Sequence, residues 1–304
     1  MGWVEREYAR AVSASKESAA MDYRKAFRVK PGSKMDLDSI DAGYKGKHED
    51  EDTAKVELAK YKDRLCKLQY LMYAEKKHSL LIVLQALDAG GKDGTVDHVM
   101  SVLNPQGATV TAFKNPTAVE LDHDFLWRVH PHVPGKGSVA IFNRSHYEDV
   151  LIVRVHKLVP KDEWKERYEL INNFESLLST QNNTTIVKFF LHISKDEQLR
   201  RFEQRLDDPA RNWKISESDY RERELWDEYT KAFEELFEKT STKHAPWYVI
   251  PANHKWFRNL AVSQIVAETM EEMGMKMPQP QVDLKVIREE YHEAENETKK
   301  KKKK

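Results

Sequence analysis

Five short runs rich in leucine, β-branched and aromatic residues recur along the middle of the chain, and helical periods fill most of the gaps between them. The runs are Leu80–Leu87, Thr109–Phe113, Ser138–Phe142, Thr185–Ile193 and Trp247–Ile250, each followed by a polar or Gly/Pro break. Val96, Val99, Met100 and Leu103 follow the first run at i, i+3, i+4 and i+7. After the second, Thr117-x-x-Glu120 forms a capping box, with Leu121, Phe125 and Val129 along one predicted helical face. Trp164, Tyr168 and Ile171 continue the pattern, and Ser194-x-x-Glu197 caps a further helix. This alternation predicts an α/β fold, a five-stranded parallel sheet between layers of helices. Ligands of such sheets bind beyond the carboxyl ends of the strands, which is where site residues are expected.

The chain of 304 residues is long enough for one large α/β domain or two small ones. The spacing places an N-terminal arm with a short helix over residues 1–55, the main domain over 56–277 and a charged tail over 278–304. The tail ends in Lys299–Lys304 and reads as a solvated, disordered end rather than a polyanion tether. Fifty basic and 50 acidic side chains cancel, which argues against a general nucleic-acid binder. The one cysteine, Cys66, excludes a disulfide framework and a cysteine-rich metal site. The longest apolar run, Leu80–Leu84, is far short of the ~20 residues that span a bilayer. The charged N-terminus has no signal-peptide core, and Arg6 stands where myristoylation wants Ser or Thr. A cytoplasmic protein is expected.

The first run leads straight into Asp88-Ala89-Gly90-Gly91-Lys92-Asp93-Gly94-Thr95, and a helix follows. Strand, glycine-rich turn, lysine and helix is the context a phosphate-binding loop requires, because backbone N–H groups and the helix N-terminus close on phosphate oxygens. Gly91-Lys92 match the usual loop pattern, whereas Ala86 replaces its first glycine and Asp93 its Ser/Thr. The third run ends in the neutral Asn143 where such enzymes carry a magnesium-binding aspartate. Carboxylates stand in the loop instead, at Asp88 and Asp93. A bare carboxylate 4 Å from a unit negative charge is repelled by about 4 kcal/mol at an effective dielectric of 20, and a metal between them reverses the sign. Magnesium duty is therefore expected in the loop.

Asn143-Arg144-Ser145-His146-Tyr147-Glu148-Asp149 clusters polar groups at the end of an apolar strand. Arg144 is the candidate for bidentate phosphate binding, and His146 reads as a hydrogen-bonded structural histidine. Lys114 either faces the same cleft or is solvated. Between Arg200 and Arg223 lie seven basic residues, with Arg201 and Arg205 sharing a helical face. Asp208-Pro209 breaks that helix, and Leu225, Tyr229, Phe233 and Leu236 line a second one. A basic lid over phosphates and a charged surface hairpin both fit this spacing.

These residues, together with Asn212-Trp213-Lys214 and Ala245-Pro246-Trp247-Tyr248-Val249-Ile250-Pro251-Ala252, resemble the type-2 polyphosphate kinase family, in order and spacing from about Lys60 to Met277. The resemblance implies a P-loop kinase-like three-layer sandwich with a helical lid at about 196–224. It implies Mg²⁺ dependence and reversible phosphoryl transfer from inorganic polyphosphate to AMP and ADP, through a homo-oligomer. Asn143-Arg144-Ser145-His146-Tyr147-Glu148 is similar to the subgroup that accepts both nucleoside mono- and diphosphates. Carried over, Asp88, Lys92, Asp93, Arg144 and Glu148 are catalytic, with Asp88 and Asp93 on the metal. Asn143, Arg144 and Glu148 meet the nucleotide. Gly90, Gly91, Gly94, Thr95, Lys114, Arg201, Arg205, Arg211 and Lys214 hold phosphate. The rival readings are an ATP-dependent nucleoside monophosphate kinase and a polyanion-binding protein without turnover.

Overall fold

The computed structural model of the chain describes residues 21–301. The first twenty residues of the expected arm and the last three lysines lie outside the described residues. In chain order the elements are α1 (Tyr23–Phe27), α2 (Glu51–Glu75), β1 (Ser79–Gln85), α3 (Lys92–Val99), β2 (Ala108–Ala112), α4 (Ala118–Leu121), β3 (Val139–Asn143), α5 (Glu148–Val155), α6 (Lys161–Asn182), β4 (Thr184–His192), α7 (Lys195–Asp207), α8 (Glu217–Glu224), α9 (Trp226–Thr240), β5 (Trp247–Pro251), α10 (Lys255–Glu272) and α11 (Leu284–Lys301).

The five strands form one parallel sheet in the order β2-β3-β1-β4-β5. Central β1 is buried along its whole length, as a strand covered on both faces must be. Its side chains alternate between two cores. Leu80, Ile82 and Leu84 pack with Leu65 and Met72 of α2 and with Leu260 and Ile265 of α10. Leu81 and Val83 pack with Leu151 of α5, Ile171 of α6 and Phe233 of α9. This is the expected three-layer sandwich. The helical lid is α7, a 3-10 turn at Asn212–Lys214, and α8.

The described part of the arm is packed down. Tyr23 is buried against Phe257, and Val29 N–H donates to the Trp247 carbonyl at the β5 edge. The expected boundary at 55/56 falls inside the first turns of α2, which starts at Glu51 because the Asp50 carboxylate accepts from Thr53 N–H at 3.0 Å.

Three expectations are corrected. The capping box at Thr117 and Glu120 forms, yet α4 stops after four residues and leaves Leu121 exposed. The Asp124 carboxylate accepts from Leu126 N–H and starts a new turn, which competes with helix. A break at Leu225 separates α8 from α9, so the apolar stripe Phe233–Leu236 belongs to α9 and to the core rather than to the lid. The tail is not irregular: residues 284–301 form α11, an exposed helix rich in Glu and Lys, whose Lys299 and Glu295 pair at i, i+4 spacing.

Candidate active site

The loop after β1 makes two left-handed steps, at Ala89 (φ 58°) and Gly91 (φ 104°), and Gly91 caps α3. Gly90 has no room for a side chain, since a Cβ there would lie 2.5 Å from the Ala86 Cβ and 2.9 Å from the Leu87 carbonyl oxygen. The turn therefore closes tightly and points the first amides of α3 at the mouth of the sheet. Lys92 folds back over it, its Nζ donating to the Ala86 carbonyl at 2.8 Å. Burial and then the Arg144 charge push the Lys92 ammonium down to about 8, against the pull of Asp88, Glu148 and Asp93. Thr95, expected on phosphate, is instead buried beneath the loop, and its hydroxyl donates to the Gly91 carbonyl at 3.1 Å. It braces the turn.

At the end of β3 the chain turns through Arg144 at φ 61°, a conformation that costs a non-glycine residue free energy. A buried network holds the residues that follow. Lys188 Nζ donates to Glu175 Oε2 at 2.7 Å, to Tyr147 Oη at 2.7 Å and to the Thr240 carbonyl at 2.8 Å, and Tyr147 donates to Glu175 Oε1 at 2.8 Å. Both ions are fully buried. His146 lies beside Glu175, also buried, and burial pushes its imidazole below the usual range. It belongs to the floor and does not line the cleft, and neither ring nitrogen has a hydrogen-bond partner among the described residues, so the hydrogen-bonded structural histidine expected from the sequence is buried but not hydrogen-bonded.

Above that floor the expected residues converge. Arg144 Nη2 lies 3.2 Å from Asp88 Oδ1. Asn143 donates its amide to Asp93 Oδ1 at 2.9 Å, and Lys214 of the lid reaches Asp93 Oδ2 at 3.1 Å. Although burial pushes the Asp93 carboxyl up, hydrogen bonds from Asn143 and Lys214 and the charges of Lys214 and Lys92 hold it below its usual value. Glu148 opens α5, where burial raises its carboxyl against the pull of Arg144 and Lys92. These side chains, with Lys114, line an open cleft of ≈ 1560 Å³ beyond the strands' carboxyl ends.

The lid divides its cations between two tasks. Arg205 donates to the Lys214 carbonyl at 3.0 Å, and Arg211 pairs with Asp208 at 3.0 Å on the exposed turn. Arg201 is buried and tied to the Ala89 carbonyl at 2.8 Å, the Ala252 carbonyl at 2.5 Å and Glu197 at 2.6 Å. It fastens the lid's first helix to the phosphate loop, as does Gln198, which donates to the Asp88 carbonyl at 3.0 Å. Sequence reasoning missed Gln198, Lys255 and Arg258, all on the cleft wall. One signal was available for the last two: α10 carries two cations and no acid in its first turn, the reverse of what a helix dipole favours.

No group of three or more His, Cys, Asp or Glu side chains gathers as a metal cage among the described residues. Asp88 and Asp93 do face the cleft, held there by Arg144 and Lys214. Two carboxylates beside a phosphate-binding loop suit a hard cation that takes its other oxygens from substrate and water, which is how magnesium usually binds.

The family model described as polyphosphate kinase 2 matches residues 48–278. An AMP/ADP-polyphosphate phosphotransferase of Meiothermus ruber is 51% identical over 258 residues, 84% of this chain and 96% of that protein. An ADP-polyphosphate phosphotransferase of Rhodopseudomonas palustris is 45% identical, covering 84% of this chain and 92% of its own length. The crystal structure of polyphosphate kinase 2 from Arthrobacter aurescens superposes with a TM-score of 0.86 at 43% identity, over 90% of this chain and 98% of that one. With the loop, the Arg144 turn and the lid meeting in one cleft, and with matches spanning most of the chain, this protein belongs to the polyphosphate kinase 2 family.

Proposed function

We propose that the protein is a Mg²⁺-dependent polyphosphate:nucleotide phosphotransferase that moves the terminal phosphate of inorganic polyphosphate reversibly to AMP and ADP. The carrying observation is that Lys92, Arg144 and Lys214 converge on the two loop carboxylates while the floor histidine, His146, is sealed away from the cleft. The site is built to gather anions, and the transfer assigns no role as base to the imidazoles on the cleft wall, His98 and His254. None is needed, because a phosphate acceptor whose last pKa is ≈ 6 is already ionised at neutral pH. Catalysis then reduces to alignment and charge neutralisation.

Lys92 and Arg144 draw in the donor's transferred phosphate, and the loop amides from Gly90 to Gly94 orient its oxygens. Lys114, Arg205, Arg211 and Lys214 hold the rest of the polyanion. Asn143 and Glu148 set the acceptor's position at the other side of Arg144. Asp88 and Asp93 would hold the metal, which supplies positive charge between phosphates. Lys214 then exchanges its Asp93 partner for polyphosphate as the lid closes.

The same reading includes a cytoplasmic enzyme that assembles as a homo-oligomer. No helix among the described residues is long and apolar enough to cross a membrane. The deciding assay gives the protein Mg²⁺ and polyphosphate with AMP, ADP, GMP or GDP, alongside ATP with AMP. Nucleotide phosphorylation from polyphosphate is expected. Turnover with ATP and AMP but none with polyphosphate would make it a nucleoside monophosphate kinase.

A further inference from the structure

Arg258 is 2% exposed and has no carboxylate partner among the described residues. Its Nε and Nη2 donate to the neutral Oδ1 of Asn259, at 3.1 and 2.7 Å, and Nη1 makes no hydrogen bond. Other buried cations of this chain are matched, Lys188 by Glu175 and Arg201 by Glu197. The charged groups facing Arg258 are cationic. Arg201 approaches from α7, and the combined effect of burial and that charge lowers the Arg258 guanidinium to about 9. Lys255, one turn earlier on α10, is also depressed, by burial and then by Arg201, Arg211, Arg258 and Arg200.

The guanidinium lies against the phosphate loop. A Cβ on Gly91 would sit 2.0 Å from Arg258 Nη1 and 3.5 Å from Arg201 Nη1, and a Cβ on Gly94 would sit 3.1 Å from Arg258 Nη2. Arg258 and Lys255 both line the cleft. A buried ion without a counter-charge destabilises a fold, and so does a cation in the first turn of a helix. Both penalties vanish if an anion binds there. The orientation of α10 adds its first amides to the same purpose.

We propose that Arg258 and Lys255, on the first turn of α10, form a phosphate subsite for the polyphosphate donor, separate from Lys92 and from the lid. This rests on the reading of the cleft as a polyphosphate site. The subsite binds a phosphate of the chain other than the one transferred, and the bound phosphate supplies the counter-charge that Arg258 lacks. It is a donor-binding element and makes no contact with the acceptor nucleotide.

The test compares the full-length protein with Arg258→Met and Arg258→Lys. Melting temperature is measured with and without inorganic tripolyphosphate, and KM is measured for polyphosphate and for AMP. Removing an unmatched charge should leave the ligand-free Arg258→Met protein as stable as the parent or more so, while most of its stabilisation by tripolyphosphate disappears. KM for polyphosphate should rise about tenfold or more with KM for AMP within about twofold, and Arg258→Lys should recover part of the loss. A ligand-free protein that is destabilised, with both KM values moving together, would make Arg258 a brace for Gly91 and overturn the subsite. Lys255→Gln, at an exposed position, gives a second reading: an unchanged KM for polyphosphate also overturns it. A parent protein that neither binds tripolyphosphate nor uses polyphosphate would refute the functional reading itself, whereas a parent that does both beside an equally active Arg258→Met variant would refute only the subsite.

Discussion

The floor of the cleft keeps Lys188 and Glu175 fully buried and closed on each other, whereas the lid carries Arg211 on the surface and joins Lys214 to a half-open Asp93. Both regions are ionic, but they do different work. Floor ions are removed from water and held by each other, by Tyr147 and by the Thr240 carbonyl, so they fix the shape of the Asn143–Glu148 turn. Arg211 and Lys214 on the lid remain solvated and exchangeable, so a substrate polyanion can displace their partners at small cost. Exposed pairs contribute roughly 0–1 kcal/mol, whereas removing one member of a buried pair costs about 3–5 kcal/mol.

The largest effect should therefore come from the floor. Lys188→Met leaves Glu175 buried without its cation, and chemical denaturation should show a loss of about 3–5 kcal/mol. A loss below about 1 kcal/mol would erase the contrast with the lid.

Next come Lys92→Ala and Asp93→Asn, which should each lower turnover by a factor of hundreds, or about 3–4 kcal/mol of transition-state stabilisation. The fold should survive, because these loop positions lie outside both hydrophobic cores. Retention of the parental kcat by either variant would remove the phosphate-loop assignment. Lys92 also sets a pH limb. Its ammonium is lowered to about 8, so the cationic form needed for phosphate is lost as pH rises through that value. The kcat/KM of the free enzyme should fall above about pH 8 and the limb should move upward in Lys92→Arg.

Glu148→Asn sharpens the comparison from the acceptor side. AMP and ADP present their terminal phosphates at different reaches from the base, and Glu148 is a half-buried carboxyl group on the cleft wall near Arg144, with no ion pair to a lid arginine among the described residues. Removing its charge should change the AMP-to-ADP ratio of kcat/KM about tenfold, or ~1.4 kcal/mol. If both acceptors suffer equally, Glu148 serves the floor and does not sort acceptors.

The smallest effect on turnover should come from the lid. Neutralising Arg205 with Lys214 should weaken polyphosphate binding and flatten its dependence on salt, as fewer counter-ions are displaced. Titrations at several ionic strengths measure the slope, and an unchanged slope would place the polyphosphate away from this turn.

The order of strands and helices and the tight glycine turn after the first strand were legible from the residues. Apolar runs, glycines and capping boxes act over a few residues, so the local pattern carries their meaning. The short α4 was not legible, because Leu121, Phe125 and Val129 kept helical spacing while the Asp124 turn interrupted the backbone between them. Nor was the helix over 284–301, where single-residue propensity and i, i+4 pairs outweighed a composition that reads as disordered.

The site divides in the same way. The sequence motifs and the family resemblance they carry picked out Asp88, Lys92, Asp93, Arg144 and Glu148, and the parallel pairing of β1 with β3 sets the turns that follow those strands side by side. Only the tertiary structure decided which cations are free to meet substrate. Arg201 and Arg205 share a helical face, yet Arg201 is consumed by backbone carbonyls of two other loops while Arg205 stays within the lid. Thr95 sits in the loop motif but turns under it, and Arg258, over 160 residues away in sequence, packs against Gly91. A side chain's availability depends on what surrounds it in three dimensions: the partners that satisfy it, the water it has lost and the charges it faces. Those neighbours come from distant parts of the chain, and no local spacing encodes them.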